Sequence, residues 1–182
     1  MERALVLRAQ RGDEAAFGDL VALVGGRLHG VARRILRDLD LADDATQRAL
    51  VAIWRDLPQL RDPATFEAWA YKVLVRICYS EGKRERAAGP NLHVLDLAPA
   101  VEADASGLVI ARDELERGFR RLPIDQRTVI VLHYYVDLPL DRVAEVLSIP
   151  PGTVRSRLHL ALRGLRAALD ADGREPGLAV TR

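Results

Sequence analysis

Between Pro150 and Leu169 the chain carries Gly152, Thr153, Arg155, Ser156, Arg157, His159, Arg163 and Arg166, and no acidic residue. Guanidinium groups, hydroxyls and an imidazole in one stretch supply many hydrogen-bond donors, but no nucleophile set beside a base. The chemistry they suit is recognition. Arginine can hold guanine with two hydrogen bonds, and the remaining cations can hold phosphates. An acid among them would repel a phosphate backbone, which accounts for its absence. Catalytic chemistry finds little support elsewhere: Cys78 is the single cysteine, and His29, His93, His133 and His159 are scattered without paired spacing. With no phosphate-binding loop motif either, an enzyme is the weakest reading, and no metal or cofactor is expected.

A helix must position this set. At ~3.6 residues per turn, Val154, Leu158, Ala161, Leu162, Leu165 and Leu169 gather on one face. Gly152, Ser156, His159 and Arg163 then lie opposite, flanked by Arg155 and Arg157. Upstream, Pro139 opens a short helix with Val143 and Leu147 facing inward, and Ala144 is small enough for a close helix crossing. Ser148-Ile149-Pro150 supplies the turn. Pro150 is held extended by the proline after it, which suits a cap, and Pro151 has its φ preset for the first helical position. This is the layout of a helix-turn-helix, whose second helix presents its N-terminal part to base edges in the major groove. Ser148 stands where glycine is common, and a left-handed residue there costs ~1–2 kcal/mol, so a somewhat different turn is expected. The competing reading, a solvated arginine face, explains neither the turn nor the paired prolines.

The rest of the chain is also helical in period. Phe17, Leu20, Val24, Leu28, Val31 and Ile35 form one stripe; Asp43 and Asp44 are expected to open the next helix, with Ala45, Leu50, Ile53 and Trp54 inside. Asp62 reads as an N-cap and Pro63 as the first helical residue of a helix whose inner face is Phe66, Trp69, Ala70, Val73 and Ile77. Cys78 falls on its apolar side and reads as a buried structural thiol. Basic residues crowd 72–86 and 155–166, whereas 87–111 has no Lys or Arg and carries Asp96, Glu102 and Asp104. The near-balance of 27 basic and 26 acidic residues over 182 therefore hides a local separation of charge. The fold class is all-α, with two small helical domains at 1–88 and 108–170, an acidic linker at 89–107 and a tail at 171–182. No apolar run approaches the ~18 residues of a membrane span and no signal pattern opens the chain, so a cytoplasmic location without membrane insertion is expected.

Two stretches carry a family resemblance. "LADDATQRALVAIWRDLPQLRDPATFEAWAYKVLVRICYSEGKRER" resembles the second domain of bacterial sigma factors of the extracytoplasmic-function (ECF) group, in which an acid-acid…Gln helix leads to an aromatic helix ending in a basic run. "LPIDQRTVIVLHYYVDLPLDRVAEVLSIPPGTVRSRLHLALRGL" is similar to the fourth sigma domain. The resemblance implies an alternative sigma factor that binds core RNA polymerase and directs initiation at −10 and −35 promoter elements. Its partners would be promoter DNA, the clamp helices of the polymerase β′ subunit, the β flap, and an anti-sigma protein as a candidate. It assigns Asp43, Asp44, Gln47 and Arg48 to the polymerase. Arg61, Asp62 and Thr65 would form the loop that captures an unpaired −10 base, with Arg76, Ser80, Lys83 and Arg84 on the −10 helix. Gly152, Thr153, Arg155, Ser156, Arg157, His159 and Arg163 would meet the −35 element. The acidic linker would occupy the polymerase's RNA path. Arg48 stands where members commonly have Glu, and Arg76 and Ser80 where Asn and Asp are frequent, which implies an altered −10 preference. A stand-alone helix-turn-helix regulator is the other reading, and it accounts only for residues 123–169.

Overall fold

The structure, a computed structural model, describes residues 3–88 and 115–172; the expected linker 89–107 and most of the tail lie outside these residues. The described residues form helices and short 3-10 turns, with no strand among them. In the N-terminal domain α1 spans Arg3–Gln10, α2 Glu14–Leu36, α3 Leu39–Asp56 and α4 Phe66–Ala88. In the C-terminal domain α5 covers residues 115–121, α6 Ile124–Ile130, α7 Leu140–Leu147 and α8 Pro151–Asp172.

Caps set these boundaries. Asp13 accepts from the Ala16 amide at 2.9 Å and starts α2; the same bond and the Arg8 guanidinium hold its carboxyl below the usual range. Asp38 accepts from the Leu41 amide at 2.8 Å and starts α3. The expectation that Asp43 and Asp44 open this helix is therefore corrected. A true cap needs an extended residue just outside the helix, which Asp38 supplies at φ −136°, while Asp43 and Asp44 sit in the second turn. Only Arg37, left-handed at φ 63°, separates α2 from Asp38, so α2 and α3 pack as a tight antiparallel pair.

The expected stripe of α2 is buried from Leu20 to Ile35, and α4 packs on both α2 and α3 through Phe66, Ala70, Leu74 and Cys78. Fully burying side chains of this size stabilises by about 1.5–3 kcal/mol each. Trp69, Val73 and Ile77 are only half-buried. The two domains share one continuous core, since Val129, Leu132, Val143 and Val146 join the same apolar cluster as Leu74 and Ile35.

Candidate nucleic-acid and polymerase interfaces

The helix-turn-helix is built as its sequence requires. Val143, Ala144 and Val146 bury one side of α7, with Leu147 half-buried. The turn departs from expectation in the opposite sense to the one anticipated. Ser148 is left-handed, at φ 54° and ψ 44°, just as a glycine would be. Its amide and that of Ile149 bond to the carbonyls of Glu145 (3.2 Å) and Ala144 (3.1 Å), closing the helix end against the strain. Helix α8 begins at Pro151, and the Pro150 carbonyl accepts from Thr153 at 2.9 Å. Val154, Leu158, Ala161, Leu165 and Ala168 form the inner face, whereas Leu162, at 39% exposure, leaves it.

Gly152, Arg155, Ser156, His159 and Arg163 are exposed on α8, and Thr153 and Arg157 are half-buried. The two flanking arginines differ. The Arg155 side chain is 62% exposed and lies 3.5 Å from Asp141 of α7, a loose surface pair. Arg157, 27% exposed, lies 3.2 Å from Asp125 of α6, so part of its charge is spent within the domain. His133 is bound through Nδ1 to the Leu138 carbonyl at 2.8 Å, consistent with a packing role.

The second candidate site is the loop before α4. Asp62 accepts from the Ala64 amide at 3.0 Å, and the Thr65 hydroxyl donates to the Asp62 carbonyl at 2.7 Å. Asp62 thus caps a 3-10 turn, Pro63–Thr65, that runs into α4. Arg61, Asp62 and Thr65 are exposed. The approach to the loop is fixed by Gln10, whose amide donates to the carbonyls of Leu57 (3.1 Å) and Leu60 (2.7 Å). Phe66 is buried core, as its position on the inner face requires.

Along α4 the side chains of Arg76, Ser80, Lys83 and Arg84 are exposed at spacings that share one face. Asp56 is held below the usual carboxylate range chiefly by hydrogen bonding from Arg55, with the Arg76 charge adding to it. Glu81, buried, is a residue that sequence reasoning missed: its carboxylate takes Arg48 from α3 and, at 3.3 Å, Arg84. The one signal for it was an acid inside the basic run SEGKRER.

On α3, Asp43, Asp44, Gln47 and Arg48 are all exposed. Asp43 pairs with His29 of α2 at 2.7 Å, and Arg48 is drawn to Glu81, which leaves Asp44 and Gln47 as the outward pair. Cys78 is fully buried and its thiol is pushed up to about 12 by desolvation, far from reactive. Among the described residues no cluster of three His, Cys, Asp or Glu could hold a metal, and no helix is long and apolar enough to cross a membrane.

Fold and sites define an all-helical, two-domain DNA-binding protein whose C-terminal domain carries a helix-turn-helix. Comparison with known proteins sharpens this class. The family model for sigma-70 region 2 matches residues 20–88, and that for sigma-70 region 4 matches residues 112–165. The RNA polymerase sigma-H factor of Pseudomonas aeruginosa is 29% identical over 180 residues, covering 92% of this chain and 93% of its own. The ECF RNA polymerase sigma factor SigK of Mycobacterium bovis is 30% identical over 177 residues, 92% of each chain. The solved structure of CnrH in complex with the cytosolic domain of CnrY aligns with TM-score 0.68 at 30% identity, covering 93% of this chain and 97% of that one. The chain belongs to the ECF group of the sigma-70 family. Its function is that of a sigma factor, a DNA-binding subunit with which RNA polymerase initiates transcription.

Proposed function

We propose that residues 1–88 dock on core polymerase and hold the −10 element, and that residues 108–170 read the −35 element. The observation that carries this is the presence of two exposed basic helix faces, on α4 and α8, each started by its own proline-containing cap. Phosphates need cations, and base edges in the major groove need a helix whose N-terminal turns are uncovered. On α8 these roles fall to Arg155 and Ser156 at the bases, with Arg157, His159 and Arg163 beside the backbone and Gly152 and Thr153 giving close approach. Arg61, Asp62 and Thr65 take an unpaired −10 base, and Arg76, Ser80, Lys83 and Arg84 hold the strand beside it. Asp44 and Gln47 carry the contact with the β′ clamp helices, with Asp43 and Arg48 held at its edge.

In this reading the protein works in the cytoplasm, supplies specificity and leaves all chemistry to the polymerase. CnrH is solved with the cytosolic domain of CnrY, and a comparable protein partner, an anti-sigma factor, belongs to the proposal. Run-off transcription with core polymerase and a randomised promoter library tests it. Selection of a two-element promoter is the expected result. Sequence-selective binding of a pseudo-palindrome by the chain alone, with no polymerase capture, would favour a stand-alone regulator instead.

A further inference from the structure

The N-terminal domain presents a face made to receive the C-terminal domain. Two glycines mark it. Gly30 lies inside α2, where a Cβ would collide with the Tyr135 hydroxyl and stand 3.2 Å from its Cζ. Gly82 lies inside α4, where a Cβ would come 2.7 Å from Ile124 Cδ1. Glycine is among the poorest residues for a helix interior, so two such positions under incoming side chains weaken their helices in exchange for a close approach.

Around these notches the contacts are specific. The Arg34 guanidinium stacks on the Tyr135 ring at 3.6 Å, and its Nη1 donates to the Gly30 carbonyl at 3.0 Å. Arg37, only 7% exposed, pairs with Glu116 of α5 at 2.5 Å and faces the Phe119 ring. Tyr79 of α4 is half-buried beside Thr128 of α6. A charge is seldom taken out of water unless its partner is fixed, so the Arg37–Glu116 pair marks a defined register between the domains.

We infer that the free chain closes on itself, its C-terminal domain docked through Tyr135, Ile124 and Glu116 onto the α2–α4 face, and that promoter engagement requires this interface to open. Two geometric facts make the closed chain incompatible with a promoter. A compact chain of this length has a radius of gyration of about 16 Å, hence a breadth of roughly 40 Å. Elements named −35 and −10 lie about 25 base pairs apart, which is roughly 85 Å of duplex at ~3.4 Å per step. Closure also narrows the loop site: Thr65, Trp69 and Lys72 face Leu138, Arg142 and Val146 across a cleft of about 380 Å³. The consequence for promoters rests on the −10 and −35 roles proposed above, whereas closure itself does not.

Closure is measured by pulsed electron paramagnetic resonance on the full chain, spin-labelled at Asp19→Cys and Arg166→Cys. Both sites are exposed, and the buried Cys78 leaves labelling selective. The expected result for the free chain is one narrow distribution below about 45 Å, replaced by a longer one on core polymerase. Gly30→Leu with Gly82→Leu should give the long, broad distribution without polymerase, at unchanged or higher helix content. Its apparent polymerase affinity should rise by the ratio of closed to open chains, about tenfold if one chain in ten is open. Tyr135→Ala with Glu116→Ala opens the same interface from the other side and serves if the glycine variant misfolds. A broad, long distribution in the free parent chain would overturn the inference, as would an unchanged short distance in a folded variant. If polymerase binds none of these proteins, the proposed function fails while the free-chain distances still decide closure.

Discussion

Arg155 and Arg163 should respond differently to truncation, and the structure sets the size of each effect. Arg155 stands in the second turn of α8, beside exposed Ser156 and one turn from Gly152, where a major-groove helix meets bases. Arg163 follows eight residues later, about 12 Å along the axis at ~1.5 Å per residue, and reaches backbone instead. A bidentate arginine–guanine contact discriminates by about 1–3 kcal/mol. From that, the loose pair with Asp141 must be subtracted, because Arg155 gives it up on binding; exposed pairs contribute about 0–1 kcal/mol. Arg155→Ala should therefore cost up to about 3 kcal/mol at one −35 base pair, a factor of up to ~140 in binding, and leave thermal stability unchanged. Arg163→Ala should weaken all −35 sequences alike and reduce the salt slope by about one ion. The assay is transcription by the reconstituted holoenzyme from single-base −35 variants at several salt concentrations. Uniform loss for Arg155→Ala with base-specific relaxation for Arg163→Ala would refute the assignment, and no loss for either would mean that α8 does not face DNA.

Three other outcomes follow from separate parts of the molecule. Asp44→Ala and Gln47→Ala should each weaken polymerase capture in a pull-down while leaving the circular dichroism melt intact, since both side chains are exposed; normal capture by the folded variants would displace the docking site. Ser148→Gly should stabilise the C-terminal domain by about 1 kcal/mol in chemical denaturation, because glycine adopts the observed left-handed backbone without the Cβ penalty. Cys78, with its thiol pushed up to about 12, should resist alkylation at pH 8 in the native protein and react promptly once unfolded; fast native labelling would contradict its burial.

The helices and the recognition face were legible because their signals are local. Pro150-Pro151 fixes where α8 starts whatever surrounds it, and the period of Val154, Leu158, Ala161 and Leu165 assigns the inner side. The beginning of α3 was misread because its first turns are lined by Leu41, Ala42 and Ala45, whose small side chains give a faint apolar period. Acids at Asp43 and Asp44 then looked like a start, although the capping atom belongs to Asp38. At Ser148 the error was energetic: a residue-level penalty was weighed without the two backbone bonds that offset it. Leu162 was assigned inward by period alone, and the supporting core is too narrow to cover it. The least legible features join distant segments. Nothing near Gly30 announces Tyr135, and nothing near Arg48 announces Glu81.

The segment Val131–Tyr135, which continues α6 as a π-helical turn, has a bearing on how this chain can vary. Its closing bonds run from the Val136 amide to the Val131 carbonyl, five residues back, and from Leu138 to Leu132, six back. Such a turn holds one residue more than an α-helical turn of the same height. Removing a single residue there would restore the ordinary spiral, turning everything after it by about 100° and drawing it back by about 1.5 Å. Val129 and Leu132 would keep their places inside, but Tyr135 would swing off the Arg34 side chain. A length change of one amino acid would thus work as a rotary adjustment, altering where the DNA-reading half points without touching a residue that reads DNA.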